Sequence, residues 1–425
     1  MAAFRFIHSA DIHLDSPLRS LALRDPTLAE LIGNATRLAF VRIVDLCLEE
    51  QVDALVLAGD LYDGDQTSMK TARFFATQLR RLDEAGIRIF IVRGNHDSLS
   101  RITKELTLPD SVKVFGGRAE TIVLERVGQG RPIAIHGLSF AQPHAPESLL
   151  PKYKPPVDGA VNIGILHTSL SGAPGHDPYA PCSVADLQST GFDYWALGHV
   201  HKRSVVHGKS SIVMPGMPQG RDINEAGAKS VTLVTATDDG VIQIEERRTS
   251  IAQFERVAID ATGIQDWRDL IGAFDAAIER ARKVAESEHL IARVQISGAT
   301  SLAWRLRADR DLLKAEIDDR AAIVGDCWIE QVDVACVPPG EASEAPDNPI
   351  IELRRLIRDK VIPSDGFEAR VVAIAEELRG QLPRECRELL GEDEATFNAR
   401  LAEVIAAGAD DVLAHLHAGP NGKAS

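Results

Sequence analysis

Carboxylate, amide and imidazole side chains recur in five short motifs in the first half of the chain. Each motif lies at or just after the end of an apolar run. The motifs are Asp11-Ile12-His13, Gly59-Asp60, Gly94-Asn95-His96-Asp97, His167 and Gly198-His199-Val200-His201. This mixture of ligands, without a thiolate, favours Mn²⁺, Fe or Zn²⁺ over Ca²⁺, and Mg²⁺ rarely recruits so many histidines. The motifs therefore predict a metal site, with manganese as the first choice.

The spacing of the candidate ligands indicates two metal ions. Asp11 and His13 are separated by one residue, so on an extended segment they point the same way and can bind one ion together. His199 and His201 share this spacing. Asp60 is the natural shared ligand, because the two oxygens of a carboxylate can bridge ions about 3.5 to 4 Å apart.

Asn95 and His167 complete the predicted ligand set with an amide oxygen and a further imidazole. His96 and Asp97 remain for proton transfer. Two divalent ions at this separation can activate water, orient a phosphodiester and neutralise its oxygens. The set as a whole predicts metal-dependent hydrolysis of a phosphoester.

Other polar residues have competing interpretations. His136 lies within or near the end of a predicted strand and has no complementary ligand motif, so we expect a hydrogen-bonded core histidine. His176-Asp177 falls in a Gly/Pro-rich loop, where a substrate contact and a simple turn are equally supported. A group of basic and aromatic residues favours nucleic-acid contact slightly over solvated surface. It consists of Trp304, Arg305, Arg307 and Arg310.

The motifs must be positioned by an α/β framework. From residue 4 to about 240, short runs rich in Val, Ile and Leu alternate with longer amphipathic stretches, which is typical of a sheet covered by helices. Strands are predicted at 4–9, 53–58, 87–93, 131–138, 161–167, 192–197 and 211–214. Helices near 27–50 and 68–85 separate the first three strands and favour their parallel pairing. Loops that follow parallel strands meet at one edge of the sheet, so distant motifs can converge.

Three domains are predicted, at residues 1–250, 251–340 and 341–425. The second is a smaller α/β unit with strands near 254–259, 289–296 and 328–337 and a helix near 265–286. A Pro-rich linker begins at Pro338-Pro339-Gly340. The third domain is a helical segment with apolar stripes, and its 17 acidic against 10 basic residues make it a better protein-contact surface than a phosphate-binding one.

Composition limits the class of protein. The chain has 62 Asp plus Glu against 47 Lys plus Arg, a net charge of −15, so any nucleic-acid contact must be local rather than driven by bulk charge. No apolar run reaches membrane-spanning length, and the N-terminus lacks a signal-peptide pattern. The five scattered cysteines include no CxxC pair. These features predict a cytoplasmic enzyme or assembly subunit with no membrane partner.

On its motifs the sequence resembles the calcineurin-like metallophosphoesterases. Among them it resembles the SbcD-type DNA repair exonucleases, especially their YhaO-like bacterial branch. The resemblance covers residues 1 to about 220. It is carried by the segments 9–15, 58–63, 94–97, 167–168 and 198–201.

The resemblance implies a role for each candidate residue. One ion would be held by Asp11, His13, Asp60 and His201. The other ion would be held by Asp60, Asn95, His167 and His199. Asp60 would bridge the two ions. His96 would protonate the leaving sugar oxygen or stabilise the charge of the transition state, with Asp97 orienting the His96 ring.

The resemblance also implies a four-layer α/β/β/α sandwich, followed by a small α/β capping domain and a C-terminal helical segment. That segment would dock on an SbcC-type ATPase, and DNA would be the substrate. A homodimer through the helices of the first domain is a further implication.

Two alternatives to a DNA exonuclease remain. One is another metallophosphoesterase, either a nucleotide phosphodiesterase or a phosphatase. Phosphatases of this type usually carry Asp-Arg-Gly and His-Glu where this chain has Asp63-Gly64-Asp65 and His96-Asp97. The other alternative is a non-catalytic subunit of an ATPase complex, against which the complete ligand set argues.

Overall fold

The computed structural model describes residues 3–16, 25–63, 68–97, 108–125, 130–142, 144–170, 179–339, 349–382 and 393–417. These residues divide into two compact units. The first comprises Met1–Glu255 with Ala285–Leu290, and the second comprises Arg256–Val284 with Ile291–Ser425. None of the helices in the described part combines the length and the apolar character that crossing a bilayer would require.

The first unit is built on strands that form two sheets. These strands are β1 (Phe4–Ser9), β2 (Ala54–Ala58), β3 (Arg88–Val92), β4 (Val112–Val114), β5 (Glu120–Leu124), β6 (Ile133–Gly137), β7 (Val161–His167), β8 (Tyr194–Gly198), β9 (Ser204–Val206), β10 (Ser211–Met214), β11 (Ser230–Ala236) and β12 (Ile242–Arg248). The first sheet has the order β12-β11-β1-β2-β3-β4 and the second has the order β5-β6-β7-β8-β10-β9. The predicted parallel pairing of the first three strands is confirmed. β6, β7 and β8 are also parallel neighbours.

Helices flank the two sheets. They are α1 (Pro26–Glu49), α2 (Met69–Glu84) and α3 (Val184–Ser189). Asp25 fixes the start of α1 because its side chain accepts a hydrogen bond from the amide of Leu28, and Pro26 suits the first helical position. Short 3₁₀ turns occur at Leu150–Lys152 and Ile223–Glu225.

Three apolar cores hold these layers together. The two sheets share one core, to which Phe6 and Ile163 contribute from opposite sides. Phe40 of α1 and Phe75 of α2 belong to a second core on the other face of the first sheet. Leu187 of α3 belongs to a third core on the second sheet. The predicted order of helix, sheet, sheet and helix layers is therefore confirmed.

The second unit contains most of a three-stranded sheet with the order β13-β14-β15. Its elements are β13 (Ala252–Asp260), α4 (Trp267–Val284), β14 (His289–Ala299), α5 (Ala303–Ala308), α6 (Arg310–Val324), β15 (Cys327–Val337), α7 (Pro349–Leu356), a π-helical turn (Ile357–Val361), α8 (Asp365–Gln381) and α9 (Glu394–His417). α6 packs against α4 and β15, while α9 packs against α5 and α7. The predicted capping domain and the predicted helical segment thus lie in one compact unit.

Candidate metal centre

The structure brings all seven candidate ligands together at the ends of five strands. Asp11 and His13 follow β1, Asp60 follows β2 and Asn95 follows β3, while His167 ends β7, and His199 and His201 follow β8. The first three strands belong to one sheet and the last two to the other. Because each set of strands is parallel, their carboxyl ends lie at the same edge of the sandwich.

Asp11, His13 and His201 form the first ligand group, with one ligand atom of each lying within 4.8 Å of the others. The Nε2 atoms of His13 and His201 are 3.1 Å apart. The Nδ1 atom of His13 lies 2.6 Å from Asp63, and that of His201 lies 2.8 Å from Glu225. With a carboxylate on each Nδ1, both Nε2 atoms are available to one shared cation.

Asp60, His167 and His199 form the second ligand group, again within 4.8 Å. His167 Nδ1 donates to the carbonyl oxygen of Ala58 at 2.9 Å, which leaves Nε2 as the ligand atom. That Nε2 lies 3.3 Å from Asp60 and 3.1 Å from the amide oxygen of Asn95. The donors of both groups are imidazole, carboxylate and amide, which fits the predicted class of metal.

A main-chain contact joins the two groups. The amide of His199 lies 3.0 Å from each carboxylate oxygen of Asp11. His199 and His201 belong to different groups although only one residue separates them. The resemblance implied this division, whereas the spacing of the two histidines did not.

The loops that carry the ligands are strained. Asp11, His13, Asp60 and His199 have φ values of 52°, 45°, 52° and 108°, a region that non-glycine residues seldom adopt. The expectation that Asp11 and His13 lie on an extended segment is therefore wrong. Hydrogen bonds from their amides to the carbonyl oxygens of Gly59 and Asp60 hold the turned backbone. Strain of this kind is characteristic of functional sites.

Glycine is required at Gly94, beside the second group. A Cβ atom there would lie 2.7 Å from Nε2 of His167 and still closer to Asp60. Gly59 has a φ of 97°, and a Cβ atom there would overlap the His167 ring. The two glycines thus make room for the imidazole between β2 and β3.

Burial and charge set the ionisation of the second group. Burial disfavours a charged His167 ring, but Asp60, Asp11 and the carbonyl oxygen of Ala58 together outweigh burial and raise the pKa of His167 to about 9. Burial likewise opposes ionisation of Asp60, yet His167 holds the pKa of Asp60 below its usual range. A cation at this site would take the place of the imidazole proton, because only an unprotonated nitrogen is a ligand.

His96 lies at the exposed side of the site, with 45% of its side chain accessible. Its Nδ1 atom lies 3.1 Å from Asp63, and this hydrogen bond raises the pKa of His96. Asp97 is buried and accepts hydrogen bonds from the amides of Leu61 and Gly94, at 3.1 and 2.7 Å. The carboxylate that contacts the His96 ring is therefore Asp63, which corrects the orienting role predicted for Asp97. Burial raises the pKa of Asp97 to about 7, helped by the charge of Asp60.

His136 is confirmed as a core histidine. It is buried, and its ring nitrogens lie 3.0 Å from Thr121 and 3.0 Å from Asn162. His176 and Asp177 lie outside the described residues.

The basic residues of α5 and α6 are engaged with acids of the same unit. Arg307 lies 3.1 Å from Asp410, and Arg310 lies 2.7 Å from Asp411. Arg305 lies over the Trp267 ring. Arg307 and Arg310 therefore have a structural role in attaching α9, and the nucleic-acid contact favoured from sequence stays a prediction.

Sequence reasoning missed three polar residues around the first ligand group. Asp63 lies in the segment 58–63, which carries part of the resemblance, but no role was predicted for it. Glu225 and Arg221 lie in and before the 3₁₀ turn after β10, where no motif marks them. Only the fold brings Glu225 to His201 and Arg221 to Glu225.

Two family patterns match the chain. The calcineurin-like phosphoesterase pattern matches residues 4–203, which include every candidate ligand and His96. The pattern described as the middle domain of metallophosphoesterase YhaO matches residues 254–337, which covers β13 to β15 almost completely.

Two individual proteins are similar to most of the length of this chain. A protein of Bacillus subtilis (strain 168) named uncharacterized metallophosphoesterase YhaO is 35% identical over 313 residues, which are 72% of this chain and 75% of that protein. A protein of Sulfurisphaera tokodaii named DNA double-strand break repair protein Mre11 is 25% identical over 356 residues, or 78% of this chain and 87% of that protein.

A solved dimetal phosphatase from Danio rerio is 13% identical to the chain, with coverage of 58% of this chain and 98% of that one. The TM-score of this pair is 0.35. The identity and coverage of the Bacillus relative decide the family. The chain belongs to the calcineurin-like metallophosphoesterases, a family of metal-dependent phosphoester hydrolases, and it carries the middle domain of the YhaO type.

Proposed function

We propose that the chain is a DNA exonuclease that hydrolyses phosphodiester bonds with two divalent metal ions. The main support for this proposal is that the two ligand groups lie close together and that an exposed histidine, His96, lies next to the first of them. Manganese is the first choice of ion, with iron or zinc as alternatives, because the donors mix imidazole with carboxylate and amide oxygen.

The two groups divide the ligands between two ions. Asp11, His13 and His201 would hold one ion, and Asn95, His167 and His199 would hold the other, with Asp60 shared. When bound, a pair of ions supplies charge neutralisation at the phosphate and a more acidic water. The protein contributes ligand atoms in fixed positions, and it shields them from solvent, since Asp11, Asp60 and His167 are almost inaccessible.

His96 would act as the proton donor to the leaving sugar oxygen. Its ring is exposed enough to meet a substrate, and its Nδ1 contacts Asp63, so Nε2 is the nitrogen that would carry the transferable proton. The hydrogen bond to Asp63 favours the protonated ring that a general acid needs. This arrangement supports catalysis over a purely scaffolding role for the first unit.

DNA as the substrate is supported by the relatives named as double-strand break repair proteins. The net charge of −15 means that binding to DNA must depend on local contacts or on a partner. We therefore expect the isolated chain to be a weak nuclease whose activity falls as salt is added.

An SbcC-type ATPase is the proposed partner of the C-terminal helices. Apolar side chains on α7, α8 and α9 remain more than a third exposed, and they include Leu353, Leu356, Ile374, Leu378 and Val404. Exposed apolar faces on helices are suited to packing against a partner helix or coiled coil. The cytoplasmic location and the homodimer stay predictions.

Degradation of end-labelled DNA by the purified chain with Mn²⁺ tests the proposal. A phosphoprotein and a generic phosphodiester serve as competing substrates, and the His96→Ala variant serves as the catalytic control. DNA cleavage that the variant abolishes supports the exonuclease. Turnover of the phosphodiester without DNA cleavage would assign another phosphoesterase activity, and no turnover even with an SbcC-type partner would indicate a non-catalytic subunit.

A further inference from the structure

Arg221 lies beside the first ligand group without contacting it. Its side chain is 18% exposed, and it comes just before the 3₁₀ turn Ile223–Glu225. Nη2 lies 2.9 Å from Glu225, and the main-chain amide of Arg221 donates to the same carboxylate at 2.7 Å. Nη1 lies 3.2 Å from Ser16 and 3.5 Å from Asp63. One guanidinium therefore spans two carboxylates.

Each of these carboxylates holds one histidine of the first ligand group. Asp63 contacts Nδ1 of His13 at 2.6 Å, and Glu225 contacts Nδ1 of His201 at 2.8 Å. The two Nε2 atoms then face each other at 3.1 Å. The five side chains form a closed polar ring, in which Arg221 is the member farthest from the ligand atoms along the chain of contacts.

The second ligand group is oriented differently. The ring of His167 is fixed by a hydrogen bond to the main-chain oxygen of Ala58, which needs no arginine. The described contacts of Arg221 are to Ser16, Asp63 and Glu225, so of the two ligand groups only the first is connected to it.

We propose that Arg221 is a positioning residue for the metal ion of the Asp11, His13 and His201 group, and that it controls the affinity of this ion separately from the other. The inference rests on the proposed dinuclear centre. Carboxylates behind metal-binding histidines fix the ring and its tautomer, and their loss typically costs about 10- to 100-fold in metal affinity. Arg221 acts one step farther out, by holding both carboxylates in place.

Two effects of Arg221 oppose each other. Its positive charge repels a nearby cation, whereas its planar fork fixes two carboxylates that would otherwise repel each other. The orienting effect of Arg221 on the two carboxylates outweighs the repulsion between its charge and the cation. Lysine keeps the charge but cannot span both carboxylates, so Arg221→Gln and Arg221→Lys separate the two effects.

The test is a Mn²⁺ titration of the full-length chain and its variants. Two quantities are measured: the number of metal ions bound per chain and the electron paramagnetic resonance spectrum. The spectrum distinguishes a coupled pair of ions from an isolated ion. Arg247→Gln is the matched control, because Arg247 also spans two carboxylates, Glu50 at 3.2 Å and Glu245 at 3.1 Å, and contacts none of the ligand histidines. Thermal unfolding without metal shows whether each variant is folded.

We expect both Arg221 variants to bind one ion as the wild type does and the other about 10- to 100-fold more weakly, with the coupled-pair signal recovered at high Mn²⁺. Arg247→Gln should keep both affinities. Two unchanged affinities in Arg221→Gln, tighter binding, or equal loss of both ions would overturn the inference. A wild-type chain that binds fewer than two ions would instead refute the dinuclear centre itself.

Discussion

The Nδ1 atom of His96 lies 3.1 Å from Oδ1 of Asp63. The same oxygen lies 2.6 Å from Nδ1 of His13, a candidate metal ligand. One carboxylate therefore contacts both the proposed proton donor and the first ligand group. Changes at Asp63 should affect acid catalysis and metal binding together, whereas changes at His96 should affect catalysis alone.

Replacing His96 with Ala should lower turnover by about two orders of magnitude or more while leaving two metal ions per chain. The reason is that its Nδ1 contacts Asp63 and that His96 belongs to neither the Asp11, His13 and His201 group nor the Asp60, His167 and His199 group. Steady-state kinetics and metal analysis check this result. His207→Ala, at an exposed histidine between β9 and β10, is the control and should be silent. Full activity in His96→Ala would eliminate the acid role.

Replacing Asp63 with Asn should reduce turnover and also weaken binding of one ion. An amide can still contact one ring, but it removes the negative charge that two histidines and Arg221 share. We expect turnover to fall by about 100-fold and the affinity for one ion by about 10-fold or more. The measurement is kcat over a range of Mn²⁺ concentrations. If saturating Mn²⁺ restored kcat of Asp63→Asn completely, the proposed role of Asp63 in orienting His96 would be contradicted.

Replacing Asp97 with Asn should mainly cost stability. Its carboxylate accepts hydrogen bonds from the amides of Leu61 and Gly94, and an Asn side chain has one acceptor oxygen for these two donors. Leaving one buried donor unsatisfied costs about 1 to 3 kcal/mol. Denaturant unfolding of the metal-free chain measures this change. An unchanged free energy of unfolding together with a large loss of kcat would instead support the catalytic role that the sequence predicted for Asp97.

The strands that position the site could be predicted because each is a buried apolar run, and β1, β7 and β10 match the predictions closely. β4 and β9 have three residues each, too few to show a periodicity. β12 is an edge strand with charged residues, so its composition resembles a loop. β11 has a readable apolar pattern that the prediction nevertheless missed.

The candidate ligands could be predicted because their types are specific and they follow strand ends. The residues behind them could not, since Glu225 reaches His201 only through the turn after β10. The left-handed backbone at Asp11 and His13 could not be predicted either, because Asp and His adopt it more often than most residues but still only in a small minority of cases. The sequence thus predicted the candidate ligands, and the fold shows which residues contact them.

Replacing Asp60 with Ala should remove both metal ions. Asp60 lies 3.3 Å from Nε2 of His167, and as the proposed bridging carboxylate it would serve both ligand groups. The matched variant is His201→Ala, which changes the first group and should leave one ion bound. Metal analysis after gel filtration compares the two proteins. Loss of a single ion in Asp60→Ala would contradict the bridge.

Replacing Gly94 with Ala should abolish metal binding without touching any ligand chemically. The added methyl group would lie 2.7 Å from Nε2 of His167 and closer still to Asp60, so both ligands must move. Gly33→Ala is the matched control, because Gly33 lies within α1 and a Cβ atom there meets none of the described residues within 4 Å. That change should stabilise the chain by about 0.5 to 1 kcal/mol, since alanine favours a helix more than glycine does. Isothermal titration with Mn²⁺ and denaturant unfolding measure the two effects. Wild-type Mn²⁺ affinity in Gly94→Ala would show that His167 and Asp60 can shift without loss, and the close fit of the second ligand group would then not be needed for binding.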